Sequence, residues 1–557
     1  MYMKHITILL ILYSLVNIST NAQQPTYEWT KSFGGTGRDE GSSIAVDNDG
    51  NVYTFGVFKD SVDFDPSINE NILVSEGGFD IFLQKLGSNG NLVWIHRFGS
   101  EWFDGAGSMV IDEDANIYLT GSYSGFVDFD PGPEVFIFNE ANEASNFVLK
   151  LDADANLIWA KQIQSGQADG TAIAIDIDRN VYVTGKFFGW VDFDTGEGFQ
   201  QIFTHGYQDA YVQKLDAFGN SEWTITFGGL NGTAEAISIV TDSNKNVYAT
   251  GYYDVDSEFR SDIENATLNV IGGRDIFVVK INEQGQHIWS YSIGDTDWED
   301  SSAITIDSSN KLYIVGLLRE IISTEPILSQ AVGFIQKLEP NGNILWEKNI
   351  LSAIGRSVVT DEFNNIYIAG SYSSTVDFDP NTGVNQITAI GWSDIYVQKL
   401  TSNGTFVWAK QMGGLQSEGA TSITIDNNYN IYTTGRFLYS ADFNPDEGED
   451  VLTSAGDFDM FIHKLSQPNP VGIEDYNNDI TVNVSPNPSS SLFELHFDSI
   501  LKDIELTVYD VKGKLLQHSN YSNTNKINIE IKQPNGVYYA KVKTEEGLKK
   551  VKLLKNN

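Results

Sequence analysis

Short runs of alternating apolar and polar residues recur along most of the chain. The third copy of this pattern contains AIAID at 172–176, NVYVTGKF at 180–187, DAYVQKL at 209–215 and SEWTITF at 221–227. Alternation with period two, β-branched and aromatic residues, and Gly or Asn between the runs together predict β-strands. Each copy is therefore expected to form four short antiparallel strands, with no helical period among them.

Tryptophan marks the length of the repeat. Seven residues, Trp29, Trp94, Trp159, Trp223, Trp289, Trp346 and Trp408, are separated by 65, 65, 64, 66, 57 and 62 positions. Four antiparallel strands in each repeated unit are typical of a β-propeller. The region opens with a lone strand-like run, YEWTKSF at 27–33, and its seventh copy ends at DMFIHKL (459–465) without one. We therefore predict an all-β fold, a seven-bladed propeller closed by the N-terminal strand, because closure leaves no free sheet edge.

The pattern changes at both ends of the chain. Lys4 precedes an apolar stretch from Ile6 to Val16, and a small-residue site follows at Ala22, as in a secretory signal. After SQPNPVGIEDYNN (466–478) the Trp period ends, and about 80 residues of strand-like runs suit a small β-sandwich. We predict a signal peptide at 1–22, the propeller at 23–466, a linker at 467–479 and a C-terminal domain at 480–557.

Charge and cysteine usage restrict the partners. The net charge is −40, and there is no Cys, so disulfides, thiolate metal sites and a catalytic Cys are excluded. Residues 480–557 hold 11 Lys against 8 Asp and Glu, so the acidity belongs to the repeats. Such a body repels nucleic acid and anionic membrane surfaces. No segment after the signal has the roughly 20 apolar residues of an integral membrane span. Cations, neutral glycans and basic partners stay open.

The repeat letters GNVYTFG, VDFDP, DIFLQKL and GNLVW, in that order, resemble the SBBP-type β-propeller repeats of bacterial surface and secreted proteins. The resemblance covers residues 27 to 465. Copy four departs from it with Val255-Asp256-Ser257-Glu258, and copy five has no counterpart within LLREIISTEPILSQ. A site built from these loops is therefore not expected to be seven-fold.

The C-terminal region resembles the type A sorting domain of the type IX secretion system of Bacteroidetes-type bacteria. The residues that carry this resemblance are Pro486, Asn487 and Pro488, Gly513 within LTVYDVKGKLL, and Gly536 and Tyr538 within PNGVYYAKV. The resemblance implies interaction with that secretion machinery, export through the periplasm and across the outer membrane, and removal of the tail. The mature protein is then released or attached to the cell surface.

Four copies contain the letters Val-Asp-Phe-Asp in the loop between the second and third strands. Their acidic residues are Asp63 and Asp65, Asp128 and Asp130, Asp192 and Asp194, and Asp377 and Asp379. Carboxylate oxygens are calcium ligands, so these pairs are candidate metal sites. Alternation also places Val and Phe on one side and both Asp on the other, as in a half-buried strand. The sequence favours this structural interpretation, since two carboxylates alone make a weak calcium site.

Two further acidic series have structural interpretations. Asp and Asn alternate in tight turns such as DNDGN (47–51), where Asx side chains bond their own backbone. A third series begins the third strand at Asp80, Asp209, Asp275, Asp394 and Asp459, with Asn146 and Gly333 in copies two and five. Its recurrence predicts a repeated structural hydrogen bond, because a catalytic residue normally occurs once.

Four tryptophans break the repeat: Trp102, Trp190, Trp298 and Trp392. They fall in or beside loops expected on one face of the propeller, and exposed aromatics next to carboxylates are typical of sugar or peptide recognition. We expect a secreted or surface-located binding or scaffold protein whose ligand is a glycan or a protein, rather than an enzyme. The alternatives are a secreted carbohydrate-active hydrolase or lyase that uses acidic residues on this face, and a structural surface-layer protein.

Overall fold

The computed structural model describes residues 24–163, 166–260, 266–324, 327–467, 482–510, 515–544 and 547–556. All regular structure in these ranges is strand, which confirms the predicted all-β class. Contacts group Gln24–Ser466 into one compact unit and place Gln467–Asn557 in another. The predicted signal peptide and residues 468–479 of the predicted linker lie outside the described residues.

The first unit opens with β1 (Thr26–Phe33) and continues with sheets that we number in chain order. Sheet 1 contains β2 (Glu40–Val46), β3 (Val52–Phe58), β6 (Asp80–Leu86) and β7 (Leu92–Phe98), and the short pair β4 (Ser61–Asp63) and β5 (Ile72–Val74) lies between β3 and β6 in the chain. Sheet 2 contains β8 (Gly105–Ile111), β9 (Ile117–Asp128), β10 (Ile137–Leu151) and β11 (Leu157–Gln162). Every pairing in these sheets is antiparallel.

Sheet 3 contains β12 (Gln167–Ile175), β13 (Val181–Phe188), β16 (Asp209–Leu215) and β17 (Ser221–Gly228), with the short pair β14 (Trp190–Asp192) and β15 (Gln201–Phe203). Sheet 4 contains β18 (Ala234–Thr241), β19 (Val247–Tyr253), β22 (Asp275–Ile281) and β23 (His287–Ile293). The pair β20 (Ser257–Arg260) and β21 (Ala266–Leu268) lies between β19 and β22 in the chain but extends sheet 3, because β20 pairs with β17. Sheet 5 contains β24 (Asp300–Ile306), β25 (Leu312–Thr324), β26 (Ile327–Leu338) and β27 (Ile344–Leu351).

Sheet 6 contains β28 (Ala353–Thr360), β29 (Ile366–Tyr372), β32 (Asp394–Leu400) and β33 (Phe406–Gly414), with the pair β30 (Thr375–Asp377) and β31 (Gln386–Thr388). Sheet 7 contains β34 (Gly419–Ile425), β35 (Ile431–Phe437), β38 (Asp459–Ser466) and β1. The pair β36 (Ser440–Asp442) and β37 (Val451–Thr453) lies between β35 and β38 in the chain but extends sheet 6, because β36 pairs with β33. The first strand of each sheet contacts the first strand of the next, and β34 contacts β2. The sheets therefore form a closed ring, which is a propeller.

The ring closes through the earliest strand of the unit. β1 pairs antiparallel with β38, with Thr26 opposite Ser466 and Phe33 opposite Met460. β1 thus occupies the outer position that the Trp-containing strand occupies in the other sheets. The seventh copy lacks its own strand of this type because the N-terminal one supplies it.

Packing between sheets forms the core of this unit. Buried apolar side chains form seven clusters in the described part of 24–466, and each cluster draws on two neighbouring sheets. The cluster that closes the ring joins Tyr432 and Ile462 of sheet 7 to Ile44 and Val52 of sheet 1. A single sheet has no partner for its apolar faces, so each repeat depends on both neighbours.

The periodic tryptophans connect neighbouring sheets. The indole N–H of Trp223 in sheet 3 donates to the backbone oxygen of Glu283 in sheet 4, at 3.0 Å. Trp159 and Trp289 make the same type of bond to the following sheet. Gly285, with φ of 78°, allows this close approach, because a Cβ there would lie 2.8 Å from Cγ of Trp223. The spacing of the tryptophans therefore reports the spacing of the sheets.

The second unit is a separate all-β structure. It contains β39 (Val482–Ser485), β40 (Leu492–Asp510), β41 (Leu515–Glu530), β42 (Gly536–Thr544) and β43 (Gly547–Lys555). The long β40 pairs with β39, β41 and β42, so the strands expected in a sandwich are joined into one five-stranded sheet. A single buried cluster, which includes Leu495, Leu506, Ile529 and Leu553, forms its core.

Closure by β1 generates a prediction about stability. Phe33 is buried and stacks on Phe64 of sheet 1, with ring centroids 6.2 Å apart. Phe33→Ala is expected to reduce the free energy of unfolding by about 3–5 kcal/mol, because it leaves a cavity where the ring closes. The measurement is thermal and denaturant unfolding of the full chain. Phe199→Ala, at a Phe that is 69% exposed, is the control, and equal effects of the two changes would contradict the prediction.

Candidate functional site

The carboxylates of the tight turns are satisfied within their own turns. Asp47 Oδ1 accepts the backbone N–H groups of Asp49 and Asn51, and its Oδ2 accepts Asn51 Nδ2 and the Tyr53 hydroxyl. The same four bonds recur around Asp112, Asp176, Asp242, Asp361 and Asp426. These residues shape the turns, as the sequence predicts.

The apolar half of each Val-Asp-Phe-Asp segment belongs to the core. Val62 and Phe64 are fully buried, and Phe64 contacts Phe33, Phe58 and Phe82. The Val and Phe residues of the other three segments are buried in the same way. In sheet 1 the side-chain amide of Gln84 donates to the backbone oxygen of Phe64, at 2.9 Å. In the four sheets that carry these letters, the buried Val and Phe thus fill one end of the core.

The acidic half of each segment holds the loop that follows. Asp63 Oδ1 accepts the N–H of Asp65 at 3.0 Å and of Asn71 at 2.8 Å. Equivalent pairs of bonds are made by Asp128, Asp192 and Asp377, while Asp65, Asp130, Asp194 and Asp379 each accept an N–H two residues further on. The first Asp therefore bridges both ends of an eight-residue loop.

This geometry supports the structural interpretation of these aspartates. The described residues contain no group of three or more His, Cys, Asp or Glu side chains that could hold a metal ion. One oxygen of each first Asp is already engaged by two backbone donors. Calcium binding by these residues stays a prediction, and the melting experiment described below tests it.

The loops that precede the third strand of one sheet and the first strand of the next lie side by side. The backbone of Gly78 donates to Trp102, Tyr207 to Gly232 and Trp392 to Gln416. Short parallel bridges join Arg274 to Trp298 and Ser393 to Ser417. We call the surface formed by these two sets of loops the loop face.

The four predicted tryptophans are spread around the loop face. Trp102 lies between sheets 1 and 2, Trp190 begins β14 in sheet 3, and Trp298 lies between sheets 4 and 5. Trp392 precedes β32 in sheet 6, and its backbone N–H donates to Gln416 in the connection to sheet 7. Their exposed fractions are 53%, 42%, 51% and 79%. Trp298 is partly covered by the Arg274 guanidinium, whose carbon lies 4.9 Å from the indole centroid. They present several separate aromatic contacts rather than one cluster.

The Asp that begins each third strand caps the segment before it. Asp80 Oδ2 accepts the N–H of Glu76, four residues earlier, and also contacts Arg97 at 2.7 Å. Asp209, Asp275, Asp394 and Asp459 accept the equivalent N–H groups. All five are buried, so the predicted repeated structural hydrogen bond is present.

Four of these five aspartates are each accompanied by a second buried acid at the junction with the next sheet. Asp39, Asp104, Glu299 and Glu418 come just before or at the start of a first strand, and each accepts an N–H from four residues earlier. We call the sets Asp459 with Asp39, Asp80 with Asp104, Asp275 with Glu299 and Asp394 with Glu418 the junction acid pairs. Copies two and five have neither member, with Asn146 and Gly333 in the third strand and Ala168 and Ala353 at the first.

Burial raises the pKa of several junction acids, and the carboxylate of the paired residue adds to the effect in four of them. The pKa is raised to about 6 for Asp39, Asp80 and Asp104, to about 7 for Asp459 and Glu418, and to about 8 for Glu299. Such residues hold protons at mildly acidic or neutral pH. The sequence predicts the third-strand acids but not their partners.

A cavity of about 320 Å³ lies on the loop face where sheets 6, 7 and 1 meet. Its lining includes Arg356, Arg436, Glu40 and Glu418 together with serine side chains. None of these residues was predicted as a site residue. The feature of the sequence that could have indicated the cavity is Arg356, because the other copies carry a small or neutral residue at that position of the repeat.

The sorting-signal residues organise the second unit. Asn487 Oδ1 accepts the N–H of Leu554, and its Nδ2 donates to the backbone oxygen of Lys552, at 2.8 and 2.7 Å. It lies between Pro486 and Pro488 and holds β43. Gly536 begins β42, and the buried Tyr538 donates to the backbone oxygen of Pro534. Gly513 lies outside the described residues.

Comparisons with known proteins agree with this architecture. Residues 483–556 match the secretion system C-terminal sorting domain, and residues 28–57 and 158–186 match the SBBP β-propeller repeat. An uncharacterized WD repeat-containing protein of Acanthamoeba polyphaga mimivirus is 22% identical over an alignment 498 residues long, and the alignment covers 73% of this chain. The chain spans 36% of the length of that relative.

The protein is therefore a β-propeller repeat protein with a type IX secretion sorting domain at its C-terminus. That domain indicates a secreted or cell-surface protein that interacts with the secretion machinery. In the part of the chain that the structure describes, no helix is long and apolar enough to cross a membrane.

The role of the Val-Asp-Phe-Asp aspartates can be tested at Asp192, which accepts N–H groups from Asp194 and Gln200 at 3.0 and 2.7 Å. Asp192→Ala is expected to lower stability by about 1.5–3 kcal/mol for each lost bond to the charged group. The melting temperature should fall equally in millimolar calcium and in chelator. Asp192→Asn keeps an acceptor and should be milder. A calcium-induced rise that Asp192→Ala abolishes would show a metal site instead.

The junction acid pairs predict a dependence of stability on pH. Burial raises the folded-state pKa above that of an unfolded chain in six of these residues, namely Asp39, Asp80, Asp104, Asp459, Glu299 and Glu418. The folded state therefore binds more protons between about pH 4 and pH 8. This contribution is fully present below the unfolded pKa and is lost as pH rises through the folded pKa. The melting temperature of the full chain should therefore fall from pH 5 to pH 8.

Asp459→Asn should reduce this pH dependence, because Asn cannot lose a proton and Asn146 already fills the equivalent place in sheet 2. Asp49→Asn, at an exposed turn residue, is the matched control. A melting temperature that rises over the same pH range, or an equal effect of both changes, would contradict the assignment.

Proposed function

We propose that this protein is an exported binding protein whose loop face holds a glycan or protein ligand at the surface of a Bacteroidetes-type bacterium. The signal peptide predicted at 1–22 directs it to the periplasm, and the sorting domain carries it across the outer membrane. The propeller is the part that remains to act outside the cell. Ligand recognition is its role, and the ring of sheets is the rigid support for the recognising loops.

The observation that carries this proposal is the set of exposed aromatic side chains on the loop face. Trp102, Trp298 and Trp392 are all at least half exposed. Exposing a large apolar side chain to water is unfavourable, and a bound partner that covers the side chain removes this cost. Indole rings are well suited to stack on sugars or peptides. Loops on a rigid scaffold are also the usual location of binding residues.

Catalysis is the second candidate, and one observation favours it. Glu418 lines the 320 Å³ cavity, and burial raises its pKa to about 7. A carboxyl group that keeps its proton near neutral pH is what a glycoside hydrolase uses as general acid. Glu40, in the same cavity, is paired with two arginines. The enzyme would then be a secreted carbohydrate-active hydrolase.

The binding role is tested with the full chain on an array of bacterial, plant and host glycans and on extracted matrix proteins. Trp392→Ala is expected to weaken retention on the captured ligand by about tenfold or more, the range of a central aromatic contact. Phe218→Ala is the control, since Phe218 is 76% exposed in the turn at the opposite end of sheet 3.

Release of product from a retained glycan, abolished by Glu418→Gln, would replace the binding role with the hydrolase. Equal losses in the Trp392 and Phe218 variants would remove the loop face as the binding surface. No retention on any array component would contradict the proposed function as a whole.

A further inference from the structure

The cavity at the junction of sheets 6, 7 and 1 contains a residue that the repeat does not explain. In every sheet the pairing of the first and second strands shifts register at one place, between Gly41 and Ser43 in sheet 1 and between Gly355 and Ser357 in sheet 6. The bulged residues are Ser42, Gly107, Thr171, Ile237, Ser302, Arg356 and Thr421. Arg356 is the charged one among them. A bulge of this type directs its side chain away from the regular ladder.

Arg356 has a guanidinium group that is available to a ligand. It is exposed, and no ion pair to it occurs among the described residues. By contrast, the neighbouring arginines are engaged, because Arg38 Nη2 and Arg436 Nη1 both contact Glu40 Oε2, at 2.8 and 2.6 Å. Both of these guanidinium groups also lie over the ring of Phe458. Arg356 therefore supplies five unused N–H donors to the cavity.

Glu418 supplies the complementary unused acceptor. It is 2% exposed and lines the cavity. Its Oε2 accepts the N–H of Gly414 at 3.1 Å, whereas Oε1 is buried without a hydrogen-bond partner. A buried oxygen without a partner costs free energy, and a ligand hydroxyl would remove that cost. The cavity thus offers a hydrogen-bond acceptor and a cationic donor to the same ligand.

The charge around this cavity is balanced, unlike that of the whole molecule. The chain has a net charge of −40, but the cavity is lined by two arginines, Arg356 and Arg436, and two acids, Glu40 and the buried Glu418. The serine side chains of the lining, at 371, 393 and 417, add hydroxyl groups. A guanidinium of this type favours a carboxylate in bidentate geometry, and the hydroxyls favour a ligand with several hydroxyls of its own.

We propose that this cavity binds the carboxylate-bearing sugar unit of an acidic polysaccharide, a uronic acid. Arg356 binds the sugar carboxylate, and Glu418 and the serines bind ring hydroxyls. The volume of about 320 Å³ falls within the usual range of small-ligand sites, roughly 300–1,000 Å³. An acidic peptide side chain is a poorer match, since it presents methylene groups to a polar lining. This inference rests on the proposed glycan-binding function and names the ligand class.

The test is a calorimetric titration of the full chain with glucuronic acid and galacturonic acid. Glucose is the neutral sugar and glutarate the acidic compound without hydroxyls. Both uronic acids, or one of them, should bind, while glucose and glutarate should bind more weakly. Arg356→Gln should weaken uronic acid binding by about 10- to 100-fold, since it removes hydrogen bonds to a charged group.

Arg319→Gln is the matched control, because Arg319 is exposed on β25 and does not line this cavity. It should leave the affinity unchanged, and neither variant should change the melting temperature, since both side chains are exposed. Glu418→Gln should weaken the binding of the sugar but leave the preference for a carboxylate, which gives a second readout of the same geometry.

Four outcomes would overturn the inference. Equal binding of glutarate and uronic acids would assign the cavity to carboxylates in general, such as acidic peptides. Uronic acid binding that Arg356→Gln leaves intact would place the sugar elsewhere. Absence of uronic acid binding, together with glycan retention that depends on Trp392, would reject this cavity while the proposed binding function stands. Absence of both would reject both.

Discussion

Lateral packing between neighbouring sheets is the constraint on which the rest of this molecule depends. Each cluster of buried apolar residues in the propeller draws on two sheets, so no repeat has a core of its own. Three features contribute to this packing. The periodic tryptophans pack between neighbouring sheets, Phe64 and its equivalents fill the end of the core, and β1 completes sheet 7. Once the ring is complete, the loops at its two ends are free to vary in sequence.

The acidic residues of the propeller have two different physical roles. Those in turns, such as Asp47, exchange water for several short hydrogen bonds within a few residues and remain partly exposed. Those at the sheet junctions, such as Glu299 and Glu418, are buried beside another carboxyl group and keep an oxygen without a partner. The first role stabilises the fold. The buried junction acids cost stability when they are ionised. Acids with raised pKa values that cost stability are typical of functional sites.

Period-two patterning and the Trp spacing predicted the all-β class, the propeller and the strand that closes it, because these features are local and repeated. The loop role of Asp63 was also readable, since Val62 and Phe64 alternate with it. Glu418 and Arg356 could not be identified as neighbours from the sequence. They lie 62 positions apart, Arg356 on β28 of sheet 6 and Glu418 just before β34 of sheet 7, and only the ring brings them to one cavity. The exposure of Trp392 likewise depends on the loops beside it.

The pairing of β1 with β38 also determines the order in which the chain can fold. Thr26 and Ser466 are hydrogen-bonded neighbours separated by 440 positions, so this contact has one of the largest loop-closure costs in the molecule. Sheets 1 to 6 are built from strands that are close together in the chain, so they can form before the ring closes. Until β1 and β38 meet, sheet 7 stays open along one edge, and both strands present unpaired backbone groups to other strands.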